Sequence, residues 1–147
     1  MKLIKNFILI IIINLNYFFA ANAADNLFEK AKKNFEKKDF EKSKFLFQRN
    51  IVFNPKNADS YLYLAKIFKT EENQEEEEKN LDTTLLLEPN NEEAIYMLIN
   101  IQLDRSNFEK ANVLMNRFTS VCKKMCNKKT ELSKSLQDFE ANNEKTN

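Results

Sequence analysis

Cys122 and Cys126 are the only cysteines in the 147 residues, and they stand four apart. Two thiols at that spacing can close a disulfide, cycle as a redox dithiol, or supply half of a four-thiolate metal site. At i and i+4 of an intact helix they point poorly for an S–S bond, so a bridge requires Val121 to Asn127 to leave the helix and turn. A redox pair is expected as Cys-x-x-Cys at a helix N-terminus in a βαβ setting, and no strand pattern occurs here. Zinc needs more ligands, and without histidine only a dimeric four-thiolate site remains. A structural disulfide is the first expectation, with the dithiol and the metal as alternatives.

Little else in the chain suggests chemistry. The absence of histidine removes the usual general base at neutral pH, and the absence of glycine leaves no phosphate-cradling loop and no nucleophile elbow. Glu71, Glu72 and the run from Glu75 to Glu78 are the one conspicuous charge cluster. They suit a solvated helix start, where acidic side chains meet the positive end of the helix dipole. As a calcium site they lack the alternating Asp loop with its glycine. No catalysis, cofactor or resident metal is expected.

The N-terminus reads as a secretory signal over residues 1–23. Lys2 and Lys5 precede an apolar run from Phe7 to Phe19, broken by Asn14 and Asn16, and Ala21-Asn22-Ala23 is a small-x-small cleavage pattern. The run is short for a bilayer span, which needs about 20 apolar residues. Cleavage is expected to leave no stable membrane insertion; an uncleaved anchor helix is the alternative. Without Lys2 and Lys5 the formal charge becomes 21 minus 22, or −1. No basic excess remains to neutralise a phosphate backbone, so nucleic-acid binding is disfavoured. Lys outnumbers Arg 20 to 3, and Asn and Ile are frequent. That bias suggests an AT-rich genome and, with the signal, the periplasm of a Gram-negative bacterium.

The elements follow from apolar periodicity and its punctuation. Helices are predicted over Asn26–Lys37, Phe40–Phe53, Ala58–Lys69, Gln74–Leu87, Glu92–Arg105, Phe108–Val121 and Lys128–Ala141. The last carries Leu132, Leu136 and Phe139 on one face, which suits a terminal helix covering an apolar edge. Residues 142–147 are predicted disordered.

Pro55 and Pro89, the only prolines, stand 34 residues apart, each after an apolar-periodic run and before an Asn that can cap a helix. Lys38-Asp39-Phe40-Glu41-Lys42-Ser43 is echoed by Ser106-Asn107-Phe108-Glu109-Lys110-Ala111. A 34-residue helix–turn–helix period ended by proline resembles the tetratricopeptide repeat (TPR). The resemblance spans about residues 24 to 124. It implies an all-α fold: a right-handed superhelical stack of three helix-turn-helix repeats plus a C-terminal capping helix. The TPR domain is then 24–141, with repeats near 24–57, 58–91 and 92–124 and the cap at 128–141. Cys122-Lys-Lys-Met-Cys126 also looks like the closing segment of some exported bacterial repeat proteins.

Departures from the family pattern mark weak points. Repeat position 8, normally Gly or Ala, holds Ala31, Ala65 and Ile99, so Ile99 must splay its repeat or use space beside Ala111. Position 20, normally small, holds Ser43, Glu77 and Ala111. A carboxylate there is costly to desolvate, so the start of the fourth helix is expected to fray or rotate. The turn-end proline is replaced by Lys123 in the third repeat.

In this family the first helices of successive repeats line a concave groove. The resemblance places Phe28, Leu62 and Tyr96 on an apolar rail and Lys32, Lys66 and Asn100 on a polar one, with Phe35, Lys69 and Leu103 further along. Such a groove suits an extended peptide or partner protein segment. Packing of Phe28 and Tyr96 into the core is the competing expectation. The carboxylate-clamp subfamily is excluded, because Phe28, Tyr63, Glu93 and Met97 fill several positions where it needs Lys or Asn. The functional expectation is a protein–protein interaction scaffold of the cell envelope. Self-association into a structural homo-oligomer and a small periplasmic dithiol protein are the alternatives.

Overall fold

Two kinds of turn, each recurring every 34 residues, organise the chain. The computed structural model describes residues 26–144, among which there are seven α-helices and no strand. They are α1 (26–36), α2 (Phe40–Phe53), α3 (Ala58–Thr70), α4 (Gln74–Leu87), α5 (Glu92–Asp104), α6 (Phe108–Val121) and α7 (Lys129–Glu144), the last preceded by a 3-10 turn at Cys126–Lys128. The expected signal over residues 1–23 lies outside the described residues.

The turn inside each helical hairpin is built on a left-handed residue. Lys38, Glu72 and Ser106 have φ of 62°, 56° and 55°. The next residue then reaches back to the helix it has left: the amides of Asp39, Asn73 and Asn107 donate to the carbonyls of Asn34, Phe68 and Gln102 at 3.0, 2.9 and 2.8 Å. This satisfies carbonyls that the helix end orphans. The side chains of the same three residues cap the next helix, accepting from the amides of Lys42, Glu76 and Lys110. One residue therefore ends a helix and starts another. Lys38 and Ser106, the residues just before two of these caps, occupy the left-handed position.

The turn between hairpins uses Pro55 and Pro89. After each, an asparagine caps the next helix: Asn57 Oδ1 accepts the Ser60 amide at 2.8 Å, and Asn91 Oδ1 the Ala94 amide at 3.0 Å.

The chain divides into two compact units, through Leu64 and from Ala65. In the N-terminal unit Ala31 and Ser43 are fully buried, and the Ser43 hydroxyl donates to the Ala31 carbonyl at 2.9 Å. Small residues at repeat positions 8 and 20 allow that approach. Phe47 is buried and stacks on Tyr63, with ring centroids 5.0 Å apart. In the C-terminal unit Ile95, Ile99, Leu103, Ala111, Phe118, Leu132 and Leu136 form one core. Ile99 is fully buried in the same cluster as Ala111, so the space beside the alanine accommodates it.

Two expectations are corrected. The start of α4 does not fray: it begins at Gln74 on the Asn73 cap, with Glu77 helical and only 5 % exposed. Burial pushes the Glu77 carboxyl above the usual carboxylate range; Lys69 pulls it back and Asp104 adds to the rise. A carboxyl that holds its proton more readily, beside a cation, is cheaper to bury than a bare carboxylate. The cap and the α4 ladder then outweigh it. The second correction is that α7 runs to Glu144, past the expected stop at Ala141 and into the segment expected to be disordered.

Candidate functional site

The nine residues expected to line a groove fall into different environments. In the N-terminal unit Phe28, Lys32 and Phe35 are half-buried on α1. Phe28 meets Phe47 and Tyr63 edge-on at 5.6 and 6.0 Å. Phe35 meets Phe40 and Tyr63 edge-on at 5.5 and 5.1 Å. Tyr63, on the first turns of α3, was not among the expected groove residues, yet it touches three phenylalanines. The cluster is partly core and partly surface: Phe47 is sealed, while Phe28, Phe35 and Tyr63 keep accessible edges. Lys32 has no ion-pair partner among the described residues.

Leu62 does not join an open rail. It is 5 % exposed and belongs to the core, as does Leu103 at 3 %. On α3 and α5 an apolar residue turned inward is worth more buried than lining a groove.

The remaining positions lie in the C-terminal unit, and all but Lys69 are engaged by their own chain. Lys66 is paired with Glu93 at 2.8 Å. Asn100 donates to the Tyr96 carbonyl at 2.8 Å. Tyr96 is covered from the C-terminal side: its hydroxyl donates to Glu131 at 3.0 Å, and the Lys128 ammonium sits 5.7 Å from its ring centroid. Burial raises the Tyr96 hydroxyl first, and the Glu131 carboxylate raises it further. Glu131 is lowered in turn, chiefly by its bond from Lys128. Only Lys69 stands exposed.

The cysteines sit at the corner between α6 and α7. Cys122 caps α6, its amide bonded to the Phe118 carbonyl, and its sulfur is bonded to Cys126 with the Cα atoms 5.3 Å apart. Residues 122–125 are non-helical. The corner is held from α5 as well, because the Glu92 carboxylate accepts the amides of Lys124 and Met125 at 3.0 and 2.8 Å. Those bonds, led by that from Met125, hold the Glu92 carboxyl below the usual range. Sequence periodicity carries no signal for this contact, which joins residues 33 apart.

Among the described residues no cluster of three or more His, Cys, Asp or Glu side chains could hold a metal, and no helix is long and apolar enough to cross a membrane.

These helical hairpins define a TPR-like fold, and known structures bear this out. The chain superposes on the type III secretion chaperone SycD of Yersinia enterocolitica, solved in complex with a peptide of the translocator YopD. The TM-score is 0.71 at 11 % identity, over 83 % of this chain and 95 % of that one. The first TPR domain of Spaghetti (RPAP3), bound to the HSP90 peptide SRMEEVD, gives 0.69 at 16 %, over 79 % and 94 %. The Arabidopsis OM64 TPR domain gives 0.68 at 16 %, over 82 % and 96 %. No family model and no curated protein matches the sequence. The protein is an all-α, TPR-like helical-repeat protein.

Proposed function

We propose that the protein is a non-catalytic interaction module of the cell envelope. Its N-terminal unit would hold an apolar, acidic peptide segment of a partner protein on the α1 face that carries Phe28, Lys32 and Phe35. The observation that supports this reading is the half-buried aromatic group with, in its midst, a lysine that has no ion-pair partner among the described residues. Rigid aromatic edges offer contact area at low entropic cost, and the lysine offers a donor for a carboxylate. Of the corresponding positions further along, all but the exposed Lys69 are buried or engaged within the chain itself. Two structural neighbours, the SycD and RPAP3 domains, were solved with peptides bound, which favours the same use of the fold. The leader-like residues 1–23 point to export, and the periplasm is the compartment in which we place the partner.

The test is panning of a random-peptide library against the immobilised mature chain. Enriched peptides should combine apolar residues with a carboxylate, and their affinity should fall roughly tenfold or more in Lys32→Glu and in Phe35→Ala. Enriched peptides indifferent to both substitutions, or no enrichment at all, would overturn the assignment.

A further inference from the structure

α4 and α6 run in the same direction, since each is joined to α5 by a short turn. Between them lies an open hollow of about 400 Å3 that reaches Leu98 and the buried Gln102 of α5. Its lip is apolar and unusually exposed: Leu86 on α4 is 81 % accessible and Val113 on α6 is 65 %. Its two walls carry opposite charge, with Glu78 and Asp82 on α4 and Lys110 and Arg117 on α6. Glu78 is already bonded to Arg105 and Gln102, and Arg117 to the Pro89 carbonyl. Asp82 and Lys110 have no ion-pair partner among the described residues, although the Lys110 charge is felt at Asp82.

The geometry points to a second copy of this chain as the occupant of this face, related by a two-fold axis that runs along the helices. Such an axis lays α4 over α6 of the partner subunit, so that Asp82 meets Lys110 of the partner subunit and the contact occurs twice. A two-fold axis across the helices would instead set acid on acid and base on base, which disfavours it. A surface with apolar knobs, a hollow to receive them and opposite charges on its two walls is complementary to itself, as an isologous interface requires.

The size of the face sets the strength. Each 14-residue helix is about 21 Å long, and two side by side span about 20 Å. That gives roughly 400 Å2 per partner, about half the per-partner area of a standard specific interface, in the range of weak, transient contacts. The dimer is therefore weak and forms in the micromolar range. None of these residues belongs to the α1 face assigned to peptide binding, so the two assignments stand or fall separately.

Sedimentation velocity over a wide concentration range tests the dimer. The wild-type chain should pass from monomer to dimer as concentration rises. Asp82→Lys and Lys110→Glu should each weaken the dimer roughly tenfold or more, because each sets like charges opposite twice. An equimolar mixture of the two variants should recover it, since both charge contacts of the mixed dimer again set an acid against a base. Leu86→Asp should abolish it. Circular dichroism of each variant reports that it is folded. A wild type that stays monomeric into the high micromolar range overturns the proposal. So does a folded pair of swap variants that fails to recover the dimer on mixing.

Discussion

Glu92 Oε2 accepts the backbone N–H of Met125 at 2.8 Å, and so ties the first turn of α5 to the corner that follows α6. The first two corners between hairpins are made by Pro55 and Pro89. In the third, Lys123 stands where proline would, and two devices replace it: the Cys122–Cys126 bond and the Glu92 carboxylate. The bond fixes the chain's turn, and the carboxylate satisfies amides that the irregular segment would leave without partners.

The Glu92 contact makes stability pH-dependent on the acid side. Its carboxyl is lower in the folded than in the unfolded chain, so the unfolded chain binds the proton first. The contribution is present above the unfolded value and is lost as pH falls through the lower, folded one. Glu92→Gln should flatten that acid limb, as measured by thermal melting between pH 7 and the low carboxylate range. An unchanged limb would show that the contact carries no stability.

Removing the bridge should loosen α7 before the repeats melt. A loop this short confers about 2 kcal/mol by the chain-entropy model. Cys122→Ser with Cys126→Ser should raise amide exchange in α7, around Leu132 and Leu136, well before α2 or α5 opens. Identical exchange in the bridged and unbridged forms would remove that role.

Glu77 should act in the opposite sense to Glu92. Its carboxyl is raised in the folded chain, mainly by burial, so the folded state binds the proton first. The penalty is absent at acid pH and appears as pH rises through the raised value. Glu77→Gln should therefore raise Tm at pH 7 and leave it nearly unchanged near pH 4. A lower Tm at neutral pH would mean that the charge is used, with Lys69 as its counterpart.

Lys38, Glu72 and Ser106 hold left-handed backbone without glycine. Non-glycine residues there cost roughly 1–2 kcal/mol, partly offset by glycine's greater entropy when unfolded. Glu72→Gly should stabilise the chain by about 1 kcal/mol in urea unfolding, and Glu72→Val should destabilise it. No gain from glycine would mean that the turn relaxes its strain elsewhere.

The helices were legible wherever the chain carries local punctuation. Phe40–Phe53, Gln74–Leu87 and Phe108–Val121 lie where Asp39, Asn73 and Asn107 cap them and where Pro55, Pro89 and Cys122 follow. The end of α7 was not legible, because no proline or other helix stop stands near Ala141. The left-handed residues were also hidden: position 15 of a repeat invites glycine, and this chain has none to show. The expected groove was read by register alone, which gives the side of a helix but not what covers it. Register cannot reveal that Leu62 is sealed, that Lys66 meets Glu93, or that Lys128 and Glu131 close over Tyr96. Each of those depends on residues distant in sequence.

A repeat array opens most readily at its ends, because a terminal repeat leans on one neighbour only. In this chain the last corner is both covalently stitched and clamped by a carboxylate from α5. Opening from the C-terminal side must therefore break the Glu92 contacts around a corner that the Cys122–Cys126 bond keeps bent.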